Sequence, residues 1–276
     1  MAWSERQHRM LRAMGLRPWS PPDRAQDGAM ASSSSAGPAP AVPSSPNITR
    51  ARAPEPRAQP TSAVEPPALA RATDDRARTV STLDWPALRE AVSQCTACAL
   101  SQGRQQTVFG SGHLQARWMV VGEAPGEQED LSGLPFVGAA GQLLDRMLAA
   151  LQLTRAEDGP QGPDQRVYIA NTLKCRPPRN RNPLAEESAQ CEPFLVRQVE
   201  LLQPRIILAM GRFAVQSLLQ TDEPIGRLRG RVHQYQGVPL VVTYHPAYLL
   251  RNLLDKAKAW EDLCLAAQVF ESSAGP

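Results

Sequence analysis

The sequence predicts a three-layer α/β/α fold built on a mostly parallel central sheet. Two observations carry the prediction: from residue 82 onward short apolar runs alternate with helical patterns, and the runs are nearly continuous rather than alternating. Strand, helix, strand, helix is the order of βαβ units, and continuous apolar strands suit a sheet covered by helices on both faces. In chain order, "RWMVVG" (117–122) reads as a strand and "GAAGQLLDRMLAALQL" (138–153) as a helix. "RVYIAN" (166–171) is the next strand, followed by the helix "AEESAQCEPFLVRQVELLQ" (185–203). "RIILAMG" (205–211) and "RFAVQSLLQ" (212–220) repeat the pair, "VPLVVTYHP" (238–246) is a further strand, and "LLDKAKAWEDLCLAAQVFE" (253–271) closes the domain as a helix. Ligands of such sheets bind outside the carboxyl ends of the strands. The unusual residues gather there: "GEAPGEQED", "NTLKCRPP", "MGRFA" and "YHPAYLLRN" each follow a strand.

A chain of 276 residues with 42% hydrophobic content can bury one sizeable core plus a tail. Residues 21–81 are dominated by Ala, Pro, Ser and charge, with almost no aromatic or β-branched surface to offset chain entropy, and read as a disordered linker. Ahead of it, Trp3, Met10, Leu11 and Met14 fall on one apolar helical stripe, so residues 1–20 read as a short docking helix for a protein partner. The folded domain is expected over 82–276. No run of about 18 apolar residues could span a membrane, and the N-terminus lacks the apolar core of a secretory signal. The expectation is a cytoplasmic, intracellular protein, a monomer by default. A net charge of +3 does not by itself indicate a nucleic-acid partner, although arginines cluster at 176, 179 and 181 and again at 227, 229 and 231.

Five cysteines occur, at 95, 98, 175, 191 and 264. In an intracellular chain the "CTAC" pair reads as metal-binding or redox. Cys175 and Cys191 supply the second pair, making the four thiolates that a zinc ion or an iron–sulfur cluster requires. Spacing alone does not separate these two. Cys264 sits inside the last helix, where a small buried hydrophobe is expected.

"GEAPGEQEDLSGLPFVGAAGQLLD", "YIANTLKCRPPRNRNP", "MGRFAVQSLL" and "VVTYHPAYLLRN" together resemble the family 4 uracil-DNA glycosylases, over residues from about 85 to 270 and in family order. The resemblance implies a uracil-DNA glycosylase-like fold and a [4Fe-4S] cluster on Cys95, Cys98, Cys175 and Cys191. It also implies a monofunctional enzyme that flips uracil out of single- or double-stranded DNA and hydrolyses its N-glycosidic bond. The second-strand loop, "KCRPPRNRNP", carries no histidine, unlike related groups that crosslink to their product, which argues for turnover by hydrolysis.

Each task of such an enzyme asks for a residue type. An amide side chain both donates and accepts, matching O4 and N3–H of uracil, and Asn171 ends a strand. Phe136 would stack on the flipped base, and His245 would hydrogen-bond uracil O2 as charge grows on the leaving base. Glu123 or Glu129 would activate water, motif position leaving the choice open. Gly126 would let the backbone approach the ligand, and Asn180 counts with it among the substrate-binding residues. Leu249, with Tyr248 as second choice, would wedge into the gap left by the flipped nucleotide. Arg179, Arg181, Arg251 and Asn252 would contact phosphates. Two other classes compete. A non-catalytic uracil-binding protein would lack the intact acidic and histidine motifs, and a small-nucleotide enzyme would carry a phosphate loop, which is not found.

Overall fold

A computed structural model describes residues 68–273. The docking helix expected over 1–20 and the linker up to residue 67 lie outside the described residues. The chain opens with helices α1 (Ala68–Ser81) and α2 (Trp85–Ser93), then strands β1 (Ser111–Gly112) and β2 (Trp118–Gly122). Helices α3 (Glu127–Ser132) and α4 (Gly138–Ala150) precede β3 (Val167–Asn171) and α5 (Ala185–Leu202). β4 (Ile206–Met210), α6 (Arg212–Leu219), α7 (Ile225–Leu228), β5 (Val232–Tyr235) and β6 (Val238–Thr243) follow, and α8 (Pro246–Leu249) and α9 (Asp255–Ser272) close the domain.

The sheet has six strands in the order β1-β3-β2-β4-β6-β5. The four central strands are parallel, and they are the four that the apolar runs predict. Strands β2, β3 and β4 are buried at every residue, as strands covered on both faces must be. One face packs Val120, Ile169, Leu208 and Val241 against α4 and α9, through Leu144, Met147, Trp260 and Leu263. The other packs Met119, Ala170, Ile207 and Val242 against α5 and α6, through Leu195, Val199, Val215 and Leu218. These are the two outer layers of the expected α/β/α sandwich.

Both edge strands are antiparallel and escape the sequence reading. β1 has only two residues, and β5 is "VHQY", too polar to read as a core strand. β5 forms because Gln236 and Gly237, with φ of 49° and 75°, turn the chain back onto β6. Two successive positive φ values are what a two-residue hairpin requires.

The linker was expected to run to residue 81, and this needs correction: Ala68–Ser81 is helical, so the ordered domain begins before residue 82. Alanine and arginine have high helix propensity, but the decisive contacts are remote in sequence. Val80 is buried with Leu88, Val92, Phe109 and Phe194, and the Arg76 guanidinium carbon lies 4.5 Å from the Phe194 ring centroid. Among the described residues no helix is long and apolar enough to cross a membrane.

Candidate active site

The ends of the parallel strands define the site. Chain order reverses between β2 and β4, the position where open α/β sheets form a crevice. Gly122 and Asn171 are register partners at the carboxyl ends of β2 and β3. Glu123 follows β2, Gly211 follows β4, and His245 follows β6 by one residue beyond Tyr244.

Asn171 is buried, at 2% exposure. A Cβ on Gly122 would lie 2.7 Å from Phe136 Cζ and closer still to Asn171 Oδ1. The absent side chain is therefore what lets the amide and the ring meet over one backbone. Phe136 stacks on His245 with ring centroids 5.2 Å apart and planes inclined by 24°. Asn171, Phe136 and His245, expected to share a base pocket, are brought together.

Phe136 holds φ of 53°, a conformation that burdens a bulky residue by about 1–3 kcal/mol. The surroundings fix it there. Arg155 donates to the carbonyls of Pro135 at 3.1 Å and Phe136 at 3.0 Å, and is itself held by Asp145. Gly141 passes so near that a Cβ would stand 2.5 Å from the Phe136 carbonyl carbon. Sequence reasoning missed Arg155, Gly141 and Gly122, because their importance lies in distances to residues elsewhere in the chain.

His245 caps α8: the Ala247 amide donates to Nδ1 at 3.1 Å. Acceptance at Nδ1 places the ring proton on Nε2, so the free nitrogen is a donor. Burial, with a smaller contribution from the Arg251 charge, lowers its pKa to about 4, so the imidazole is neutral at physiological pH. Gly211, with φ of 91°, leaves room for this ring, since a Cβ there would come 3.0 Å from His245 Cβ.

The acidic loop divides by role. Glu127, Glu129 and Asp130 form the first turn of α3, where carboxylates complement the exposed amides. Glu129 spends both oxygens on backbone, accepting from the Gly126 amide at 3.1 Å and the Val137 amide at 3.0 Å. Gly126 is the N-cap of α3 rather than an open cradle. Asp130 is buried and accepts from the Gln105 amide at 2.9 Å. Glu123 differs: burial raises its carboxyl to about 7, against a smaller lowering by Arg212.

In the arginine loop, Arg181 makes a two-pronged pair with buried Glu187, at 2.9 and 2.5 Å. That pair fastens the loop to the start of α5, where Glu187 also accepts from the Leu184 amide. Asn180, with φ of 55°, accepts from Arg176 at 2.8 Å. Arg179 and Arg251 are exposed, and neither has a side-chain hydrogen bond or ion pair among the described residues. Leu249 is fully buried, at 0% exposure, beneath the sheet with Leu144 and Met147, which corrects its assignment as the wedge. The single turn of α8 rotates it inward and leaves Leu250, Leu253 and Leu254 outside, with exposures of 42%, 59% and 92%. Tyr248 is also engaged, donating to Asp255 at 2.6 Å.

The Uracil DNA glycosylase superfamily model matches residues 109–264, more than half of the chain. The chain belongs to the uracil-DNA glycosylase superfamily. Among its relatives, the type-4 uracil-DNA glycosylase of Thermotoga maritima is 42% identical over 165 residues, 59% of this chain and 81% of the relative. The type-4 enzyme of Pyrobaculum aerophilum is 39% identical over 186 residues, 64% of this chain and 89% of the relative. That of Archaeoglobus fulgidus is 42% identical over 170 residues, 59% and 80% of the two chains.

Away from the crevice at the strand ends, Cys95, Cys98, Cys175 and Cys191 line one small pocket together with Leu100, Leu173 and Phe194. They arrive from three segments: the turn after α2, the loop after β3, and α5. The Lys174 amide donates to Cys191 Sγ at 3.2 Å, and Arg104 donates to Cys175 Sγ, also at 3.2 Å. Among the described residues no three His, Cys, Asp or Glu side chains are drawn together tightly enough for a single metal ion. Cys264 packs against the main core instead. Lys174 is fully enclosed, donating to the Asn171 carbonyl at 2.9 Å and to Gln198 at 2.6 Å, and so ties the end of β3 to α5.

Proposed function

We propose that the chain removes uracil from DNA by hydrolysing its N-glycosidic bond and leaves an abasic site, the first step of base excision repair. The observation that carries this reading is the convergence of Asn171, Phe136 and His245 over the side-chain-free Gly122. A base rotated out of the stack would lie against Phe136, with the Asn171 amide serving O4 and N3–H. The neutral His245 ring offers its Nε2–H to O2. A neutral donor suits this task, because it stabilises negative charge only as the C1′–N1 bond breaks and its electron pair moves onto the base. Glu123 takes the proton of the attacking water, whose oxygen bonds to C1′. A carboxyl near 7 is matched to that role at physiological pH. Glu129, with both oxygens committed, shapes the loop. Of the two carboxylates left open by motif position, Glu123 is therefore the base.

The exposed leucines after α8, Leu254 foremost, replace Leu249 as the wedge, flanked by Arg251 for phosphate. Arg179 is available for the same task, whereas Arg181 serves the loop. The four cysteines fit a [4Fe-4S] cluster: four thiols ringing a pocket, rather than a tight knot of donors, suit a multi-atom group. When bound, it supplies a structural crosslink between three segments.

The deciding experiment is uracil release from matched single-stranded, U·G and U·A oligonucleotides by protein purified without oxygen, with thymine controls and abasic-site cleavage as readout. Release from the uracil strands alone is expected. A folded, coloured protein that binds these strands without releasing uracil would make it a uracil reader and not an enzyme.

A further inference from the structure

Helix α1 precedes residues 109–264, the part that the family model matches, and was expected to belong to the linker. Its Arg76 nevertheless reaches the cysteine pocket. Nη2 donates to Cys95 Sγ at 3.1 Å and Nε to the Gln190 carbonyl at 3.0 Å, one residue before Cys191. The guanidinium also covers the Phe194 ring, whose residue lines the same pocket. Arg104 makes the corresponding bridge on the other side, donating to Cys175 Sγ at 3.2 Å, to the Cys95 carbonyl at 2.7 Å and to the Ser93 carbonyl at 3.0 Å. Arg78, two residues after Arg76, contrasts with both: it is exposed and among the described residues pairs only with Asp75 of its own helix. Arginine content of the segment therefore does not account for the contact.

We propose that α1 completes the cluster site, with Arg76 a positioning residue that compensates thiolate charge at Cys95 and closes the pocket between Cys95 and α5. The proposal rests on the cluster reading above. Four thiolates around an iron–sulfur core concentrate negative charge in a largely apolar pocket, and a guanidinium hydrogen-bonded to one sulfur lowers that cost. Donors to ligand sulfurs also favour the more negative, reduced cluster, which raises its potential. The α1 helix thus protects a group made by residues that follow it in sequence.

The test compares the full chain with Arg76→Gln, Arg76→Lys and Arg78→Gln, all purified anaerobically. Iron and sulfide content, the rate at which an iron chelator in air bleaches the visible absorption, and the midpoint potential are measured. Arg76→Gln should lose its cluster roughly 10-fold faster, within the range usual for residues supporting metal ligands. Its potential should move to a more negative value, Arg76→Lys should fall between, and Arg78→Gln should match the wild type. A loss of packing alone would speed bleaching but leave the potential of the remaining clusters unchanged. Wild-type lifetime and potential in Arg76→Gln overturn the proposal. Should that variant not fold, Arg76→Lys keeps the charge and the stem over Phe194 while losing the planar fork, and an unchanged potential there overturns it equally. A colourless wild type would remove the cluster reading itself, and this inference with it.

Discussion

Gly122→Ala isolates the feature on which the proposed base pocket depends. The new methyl would stand 2.7 Å from Phe136 Cζ and 2.8 Å from Cε2, with Asn171 Oδ1 nearer still, all inside 3.0 Å. Neither neighbour can yield freely. Asn171 is buried at 2% exposure, and the Phe136 backbone is held by Arg155 and by close passage of Gly141. Overpacking of this kind costs about 1–3 kcal/mol, while loss of glycine freedom in the unfolded chain returns about 0.4–1 kcal/mol. The net is a destabilisation of up to about 2.6 kcal/mol, read as a fall in melting temperature of about 2–4 °C per kcal/mol. The larger effect is on chemistry. Displacement by a full ångström can cost on the order of 100-fold, so the several tenths required here predict roughly a 10-fold loss in single-turnover excision, about 1.4 kcal/mol. The assay is release from a uracil oligonucleotide at saturating enzyme, alongside a thermal melt. A variant with the wild-type rate would show that Asn171 and Phe136 do not need their places over Gly122, and the pocket would have to be sought elsewhere.

Three further outcomes rest on where the structure puts Glu123, Glu129 and the leucines around α8. Excision should rise with pH through about 7 as Glu123 ionises, and Glu123→Gln should abolish both the rise and most of the rate, whereas Glu129→Gln should mainly lower stability, by about 1 kcal/mol, as loss of a cap does. The stability effect of Glu123 has the opposite sign: between 4.5 and about 7 the native state holds more protons than the unfolded chain, so stability falls as pH rises, and Glu123→Gln should flatten that slope in pH-dependent melts. Leu249→Ala should destabilise the fold by about 2–5 kcal/mol, as emptying a core position does, while Leu254→Ala should leave the melt unchanged and weaken excision from duplex more than from single-stranded uracil DNA. The reverse pattern in the two leucine variants would restore Leu249 as the wedge.

The layered α/β architecture and the four parallel strands were legible in the letters, because a strand covered on both faces must be apolar at nearly every residue, and runs such as "WMVV" and "IILAM" recur in alternation with helical patterns. The sequence also marked Asn171 and His245 as candidates, since both stand where a strand gives way to a loop and the motifs around them are distinctive. The edge strands were hidden because β5 is polar and takes its conformation from a two-residue turn and from β6. Helix α1 was hidden because its composition matches the linker, and its stability comes from Val80 and Arg76 meeting Phe194, more than 110 residues later. Tertiary structure alone separated Glu123 from Glu129. Two carboxylates six residues apart look alike as letters, but one is desolvated in the crevice and the other is satisfied by two amides. It also separated Leu249 from Leu254, because one helical turn decides which of several neighbouring leucines faces the core, and no local pattern in "PAYLLRNLLD" records which way that turn points.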